Sequence, residues 1–182
     1  LAGGTGLALQ IGHRDSVDFD FFKEGDYNTP KLGDMLLSLF AGHTLITIVQ
    51  EKNTYSCLID DSVQLSFFGY HHSLLYPLLK TDYFDIASIA DIGCMKLSAI
   101  TSRWLEKDYI DLYFILQTIS LSDLLLDCTK KFPNLDSGLI LKSLVYFDDV
   151  SREPIMFKEG RDVSFETVQS FLRKTVKEYF KK

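Results

Sequence analysis

Polar and apolar residues alternate with a period of two near the start of this chain. After about residue 88 the pattern changes to a period near 3.6. In Val17-Asp18-Phe19-Asp20-Phe21 the apolar residues occupy the odd positions and the acids the even ones. Successive strand side chains point to opposite faces, so both carboxylates share one face. The pattern predicts a strand over 1–3, a short helix over 5–12 and a strand over 16–22. A helix over 30–41 follows, with Thr29 as its N-cap and Pro30 at its first position. Strands are expected over 43–51, 54–59 and 62–69, with turns at Lys52-Asn53 and Asp60-Asp61. Helical periodicity then covers 89–102, 106–118, 123–131, 137–146 and 164–180. The expected fold is α/β (α+β): a mixed sheet with flanking helices, then a helical bundle. The expected division is a core sheet over 1–86 and a helical region over 87–182 packed on it, with the site between them.

Two features of the first 22 residues carry chemistry. A glycine turn that opens a helix, Gly3-Gly4-Thr5, offers free backbone N–H groups to phosphate. Two acids about 7 Å apart along a strand, at ~3.3 Å per residue, can share a hard divalent cation. Together they point to a site for a Mg²⁺-nucleoside triphosphate. Gly3-Gly4-Thr5-Gly6 lacks the Gly-Lys-Ser/Thr of a Walker A loop and the spacing of a dinucleotide fingerprint.

Gly-Gly-Thr, the short helix, Gly12-His13-Arg14 and Ser16-Val17-Asp18-Phe19-Asp20-Phe21-Phe22 resemble the first motif of the nucleotidyltransferase superfamily. More narrowly they resemble the AbiEii/AbiGii-type toxin nucleotidyltransferases. A second block, SIADIGCMKLSAITSRWLEKDYIDLYFIL over 88–116, is similar to that family's K-L-x-A-I helix and its following R/K-D-x-x-D-L-Y helix. The resemblance implies that Asp18 and Asp20 hold Mg²⁺ or Mn²⁺. It implies that Gly3, Gly4, Thr5, Arg14 and Ser16 serve the nucleotide. Lys96 goes to the triphosphate, and Asp108 or Asp111 to an inner polar network. The implied reaction moves a nucleoside monophosphate from the triphosphate to a hydroxyl, on an RNA 3′ end such as tRNA or on a protein. The family's toxin members act beside an antitoxin protein.

One position departs from this pattern. The strand expected to carry a third carboxylate reads Ser62-Val63-Gln64-Leu65-Ser66-Phe67-Phe68, and its polar face offers Gln64 and Ser66. Asp60 and Asp61 substitute only if the register differs. A second reading therefore stands beside the enzyme: a catalytically degenerate nucleotide-binding or protein-interaction module on the same fold. A phosphohydrolase using the two acids ranks third, because the strand-end acid and Thr/Ser motif of such enzymes are missing.

Composition narrows the setting. The 182 residues carry a formal net charge of −6 and are 46% apolar. That suits a folded core and argues against a generic nucleic-acid binder. The basic C-terminal run Arg173, Lys174, Lys177, Lys181 and Lys182 reads as a solvated helix face. Three scattered cysteines show neither metal spacing nor a disulfide framework, which fits a reduced cytoplasmic location. No apolar run reaches the length of a membrane span. Leu1 reads as mid-strand, so an N-terminal segment, a helix, is expected before it. Within the helices, Lys96 and Arg103 are expected to share a face, and Lys107 to pair with Asp111.

Overall fold

The computed structural model describes residues 1–181. Its elements in chain order are α1 (Gly3–Ile11), β1 (Asp18–Glu24), α2 (Thr29–Leu39), β2 (Leu45–Glu51), β3 (Thr54–Ile59), β4 (Val63–Tyr70), α3 (Ile89–Ala99), α4 (Glu106–Ile115), α5 (Leu121–Lys131), α6 (Ser137–Ser143) and α7 (Phe165–Tyr179). The four strands form one mixed sheet in the order β1-β4-β3-β2. β1 runs parallel to β4, and the other neighbours are antiparallel.

Turn and cap chemistry explains most boundaries. Asn53, Asp60 and Asp61 adopt the left-handed conformation, which short polar side chains tolerate better than others. They close the β2–β3 and β3–β4 hairpins. The side chains of Ser88, Ser120, Asp136 and Ser164 each accept the N–H three residues on, starting α3, α5, α6 and α7. The cap of α2 is Asn28 rather than Thr29: its side chain accepts from the Lys31 N–H at 2.9 Å. The strand expected over 1–3 reduces to one bridge, Ala2 to Asp20, because α1 already begins at Gly3.

The main core lies among the helices. Leu7, Ile92, Leu97, Tyr109, Leu112, Leu124 and Val168 belong to one buried cluster; in it α1 packs on α3 and α4, and α7 on α4 and α5. A smaller cluster of Leu36, Tyr55 and Cys57 sits between α2 and the far part of the sheet. Asp91 and Lys131, both shielded from solvent, join α3 to α5 at 2.7 Å. The same carboxylate accepts the backbone N–H of Leu75 and Tyr76, pinning the 71–80 loop. All three cysteines are buried and free. No described helix is long and apolar enough to cross a membrane.

The parallel β1–β4 pair decides the chemistry. Its register sets Asp18 opposite Gln64, Asp20 opposite Ser66 and Phe22 opposite Phe68. Facing this sheet, α3 and the start of α4 leave a cavity of about 820 Å³.

Candidate active site

Asp18, Asp20, Gly3, Gly4, Arg14, Ser16 and Lys96, all expected at the site, line this single cavity. Thr5 and Asp108 sit behind the lining. The Thr5 hydroxyl donates to the Asp18 carbonyl and accepts from the Ser16 hydroxyl at 2.8 Å. Thr5 thereby fixes the start of α1 against the acid-bearing strand. Asp108 is fully buried and holds two cations of the opposite wall.

The two glycines have a steric explanation. A Cβ on Gly3 would overlap Asp20 Oδ2, and one on Gly4 would overlap Arg14 Nη2. Gly3 is also left-handed, at φ +66°, a conformation glycine adopts without penalty. The N-terminus of α1 thus lies directly against the Asp20 carboxylate. The first backbone N–H groups of a helix have no intrahelical partner and attract negative charge. Asp20 nevertheless has its pKa raised, first by burial and then by the neighbouring charge of Asp18, against a smaller lowering by Lys96. Two adjacent acids, one of them held above its ordinary range, form a donor set that a hard cation relieves. Asp18 and Asp20 therefore fit a divalent ion, with the Ser66 hydroxyl as a neutral oxygen beside them.

From Arg14, beside Gly4, an interlocked group of charges runs to α3 and α4. Arg14 donates to Asp111 through Nε at 2.8 Å and Nη2 at 2.9 Å. Lys96 Nζ reaches Asp108 Oδ1 and Asp111 Oδ2, each at 2.6 Å. His13 Nε2 completes the Asp111 shell at 2.8 Å. Burial pushes the Asp111 pKa up, but Lys96, the hydrogen bond of His13 and those of Arg14 outweigh it and hold the carboxyl far below its usual range. Lys96 remains charged: burial opposes its protonation, and Asp111 and Asp108 more than compensate. Its cationic hydrogens are therefore shared with two carboxylates as well as facing the cavity.

Two expected pairings take other forms. Helix α3 ends at Ala99, so Lys96 and Arg103 do not share a helix face; they converge instead on Asp108, Arg103 Nε at 3.0 Å. Lys107 pairs with Glu153 at 3.3 Å, because Asp111 points inward to Arg14.

Three parts of the site carry little sequence signal. Arg103 lies in a loop, and its side chain is 55% exposed, which makes it the freest cation of that wall. The segment 151–158 forms the outer rim. Asp15 donates its N–H to the Met156 carbonyl at 2.7 Å, and Lys158 to that of His13 at 3.2 Å. Only Pro154 marks this stretch in the sequence. His72 also reaches the cavity, from just past the end of β4. Among the described residues, no group of three or more His, Cys, Asp or Glu is placed to hold a metal. The third-acid position is filled by Ser66, 3.0 Å from Ser56 Oγ. Asp60 lies at the hairpin with His43, outside the cavity.

The architecture is a nucleotidyltransferase-like fold, shared with two solved structures. A crystal structure described as a putative nucleotidyltransferase from Helicobacter pylori matches all of this chain and 87% of its own, with a TM-score of 0.54 and 18% identity. JHP933 from Helicobacter pylori matches all of this chain and 84% of its own, with a TM-score of 0.55 and 15% identity. In sequence, the chain is 37% identical over 185 residues to the uncharacterized protein aq_aa25 of Aquifex aeolicus, covering 98% of this chain and 86% of that protein. It belongs to the same family as aq_aa25. No family model matches the chain.

Proposed function

We propose that the protein is a metal-dependent nucleotidyltransferase that moves a nucleoside monophosphate from a nucleoside triphosphate to a hydroxyl acceptor. One observation carries this reading. Asp20 stands against Gly3 at the helix start and Arg14 against Gly4, and Asp18, Lys96 and Arg103 line the same cavity. Asp18 and Asp20 would hold Mg²⁺ or Mn²⁺. When bound, such an ion neutralises phosphate charge and stabilises the in-line displacement of pyrophosphate. The N–H groups at the start of α1 and the Ser16 hydroxyl are positioned to bind phosphate oxygens. Arg103, half in solvent, contributes a fork of donors to the same anion. Lys96 and Arg14, fixed by Asp108 and Asp111, act as a preorganised positive wall that needs no rearrangement as charge develops.

The resemblance of residues 1–22 and 88–116 to AbiEii/AbiGii-type enzymes supports the finer assignment. In it the protein is the toxin side of a toxin–antitoxin or abortive-infection pair in the cytoplasm, neutralised by an antitoxin protein. Its acceptor is an RNA 3′ end such as tRNA, or a protein side chain.

A second reading has its own observation. Ser66 and Gln64 occupy the strand positions opposite Asp20 and Asp18, so β4 adds no third carboxylate beside them. This favours a degenerate module that binds nucleotide without transferring it. Incubation with Mg²⁺ and total RNA or protein, using α- or γ-labelled triphosphates, separates the readings. Acceptor labelled from the α position supports the transferase. Phosphate release alone indicates hydrolysis. Tight binding without either leaves the module.

A further inference from the structure

The cavity face of the sheet changes character along its length. On β1 it runs Asp18, Asp20, Phe22; on β4 it runs Gln64, Ser66, Phe68, Tyr70. The acids lie at the beginning of the strands and the aromatic rings two to four residues on. Strand rise of ~3.3 Å per residue separates the two ends by roughly 7–13 Å, the reach from a phosphate chain to the base of the same nucleotide. Phe22 and Phe68 stack with centroids 5.1 Å apart. Tyr70 packs edge-on to Phe22 at 5.1 Å and to His72 at 5.3 Å. Phe132 closes the row against His72 at 4.7 Å.

Tyr70 offers the cavity its ring and not its hydroxyl. The hydroxyl is screened from solvent, and the groups that act on it, Asp91, Cys94 and Cys128, lie in the core and not along the cavity. The ring is steadied by Lys131, whose ammonium lies 5.4 Å from the centroid. In this aromatic row only the His72 ring carries polar atoms toward the cavity, so the row has no paired donors and acceptors to read a base edge.

We propose that the aromatic end, Phe22, Phe68, Tyr70, His72 and Phe132, is the subsite for the nucleobase of the bound triphosphate. The base is held by stacking on these rings. This rests on the triphosphate reading of Asp18, Asp20 and the Gly3-Gly4 turn. Stacking rewards ring area over edge pattern, so purines are favoured over pyrimidines and adenine is not sharply distinguished from guanine.

Calorimetric titration of the full chain in Mg²⁺ with ATP, GTP, CTP and inorganic tripolyphosphate tests this. ATP and GTP are expected to bind about tenfold or more tighter than tripolyphosphate, with CTP between them. Phe68→Leu should erase most of that advantage and leave tripolyphosphate binding unchanged. Equal affinity of ATP and tripolyphosphate, or Phe68→Leu weakening both ligands alike, overturns the base subsite while the phosphate site stands. If no triphosphate and no tripolyphosphate binds, the underlying nucleotide reading fails instead.

Discussion

Arg14 grips Asp111 with two hydrogen bonds, 2.8 and 2.9 Å, across 97 positions of sequence. The pair ties the loop before the acid-bearing strand to the middle of α4. Asp111 also serves Lys96 and His13 and is fully shielded from water.

Asp111→Asn should therefore be among the most damaging single changes. It leaves the buried Arg14 without its carboxylate and Lys96 with Asp108 alone, and breaking a buried pair costs about 3–5 kcal/mol. Urea denaturation should show that loss; a loss under 1 kcal/mol would mean that water reaches the network.

The same pairing sets a pH dependence. Asp111 has its pKa depressed in the fold, so its contribution is present above the unfolded value of about 3.9 and is lost only as pH falls toward the depressed one. Lys96 is raised, so its contribution is full below about 10.4 and is lost as pH climbs through its folded value above that. The stability gap between wild type and Asp111→Asn should be flat from about pH 5 to 9 and close below about pH 4. Denaturation midpoints across that range measure it.

Asp20→Asn should move in the opposite direction. Burial and Asp18 raise the Asp20 pKa, so at neutral pH the ionised group opposes folding. The variant should unfold at a higher temperature than wild type without ligand and lose Mg²⁺-triphosphate binding in calorimetry. A lower melting temperature would contradict the repulsion between the two acids.

The glycines give a graded series. Gly3→Ala meets Asp20 and must hold φ +66°, whereas Gly12→Ala holds φ +57° with open space around it. Each should lose about 1 kcal/mol to backbone strain. Only Gly3→Ala should also weaken triphosphate binding, by at least about tenfold. Equal affinity in the two variants would free the helix start of any role in the site.

Ser66→Asp adds a carboxylate opposite Asp20, at a position only 2% exposed. It should tighten Mg²⁺ several-fold through added ligand charge while lowering the stability of the ion-free protein. Magnesium titrations and melting curves of both proteins test the pair of effects. Weaker Mg²⁺ binding would show that the ion is held elsewhere.

Much of this was legible in advance because periodicity and turn chemistry are local. Asp18 and Asp20 alternate with Phe19 and Phe21, and β1 follows. Asn53 and Asp60-Asp61 are turn residues, and the hairpins form there. Ser66 and Gln64 stand beside the acids because a period of two leaves a parallel neighbour few choices once Leu65 and Phe67 pack, half-buried, against the small cluster on the other face. The partners of the charges were not legible. Whether Lys107 meets Asp111 or Glu153 depends on how α4 rotates against Arg14, and no spacing records that. Residues 151–158 join the site through backbone hydrogen bonds, which leave side-chain patterns blank. His72 and Phe132 meet only because two chain segments 60 residues apart pack together.

The long reach from Arg14 to Asp111 has a consequence for biosynthesis. A ribosome adds about 5–20 residues per second, so Arg14 exists for roughly 5–20 s before its partner is made. The rim at 151–158 comes later still. A nascent or truncated chain that ends before Asp111 carries the glycine turn, both acids and the cations Arg14, Lys96 and Arg103, but not the carboxylate that fixes Arg14 and Lys96 in place. The cavity takes its shape only once most of the chain has been made, because its rim at 151–158 is added last.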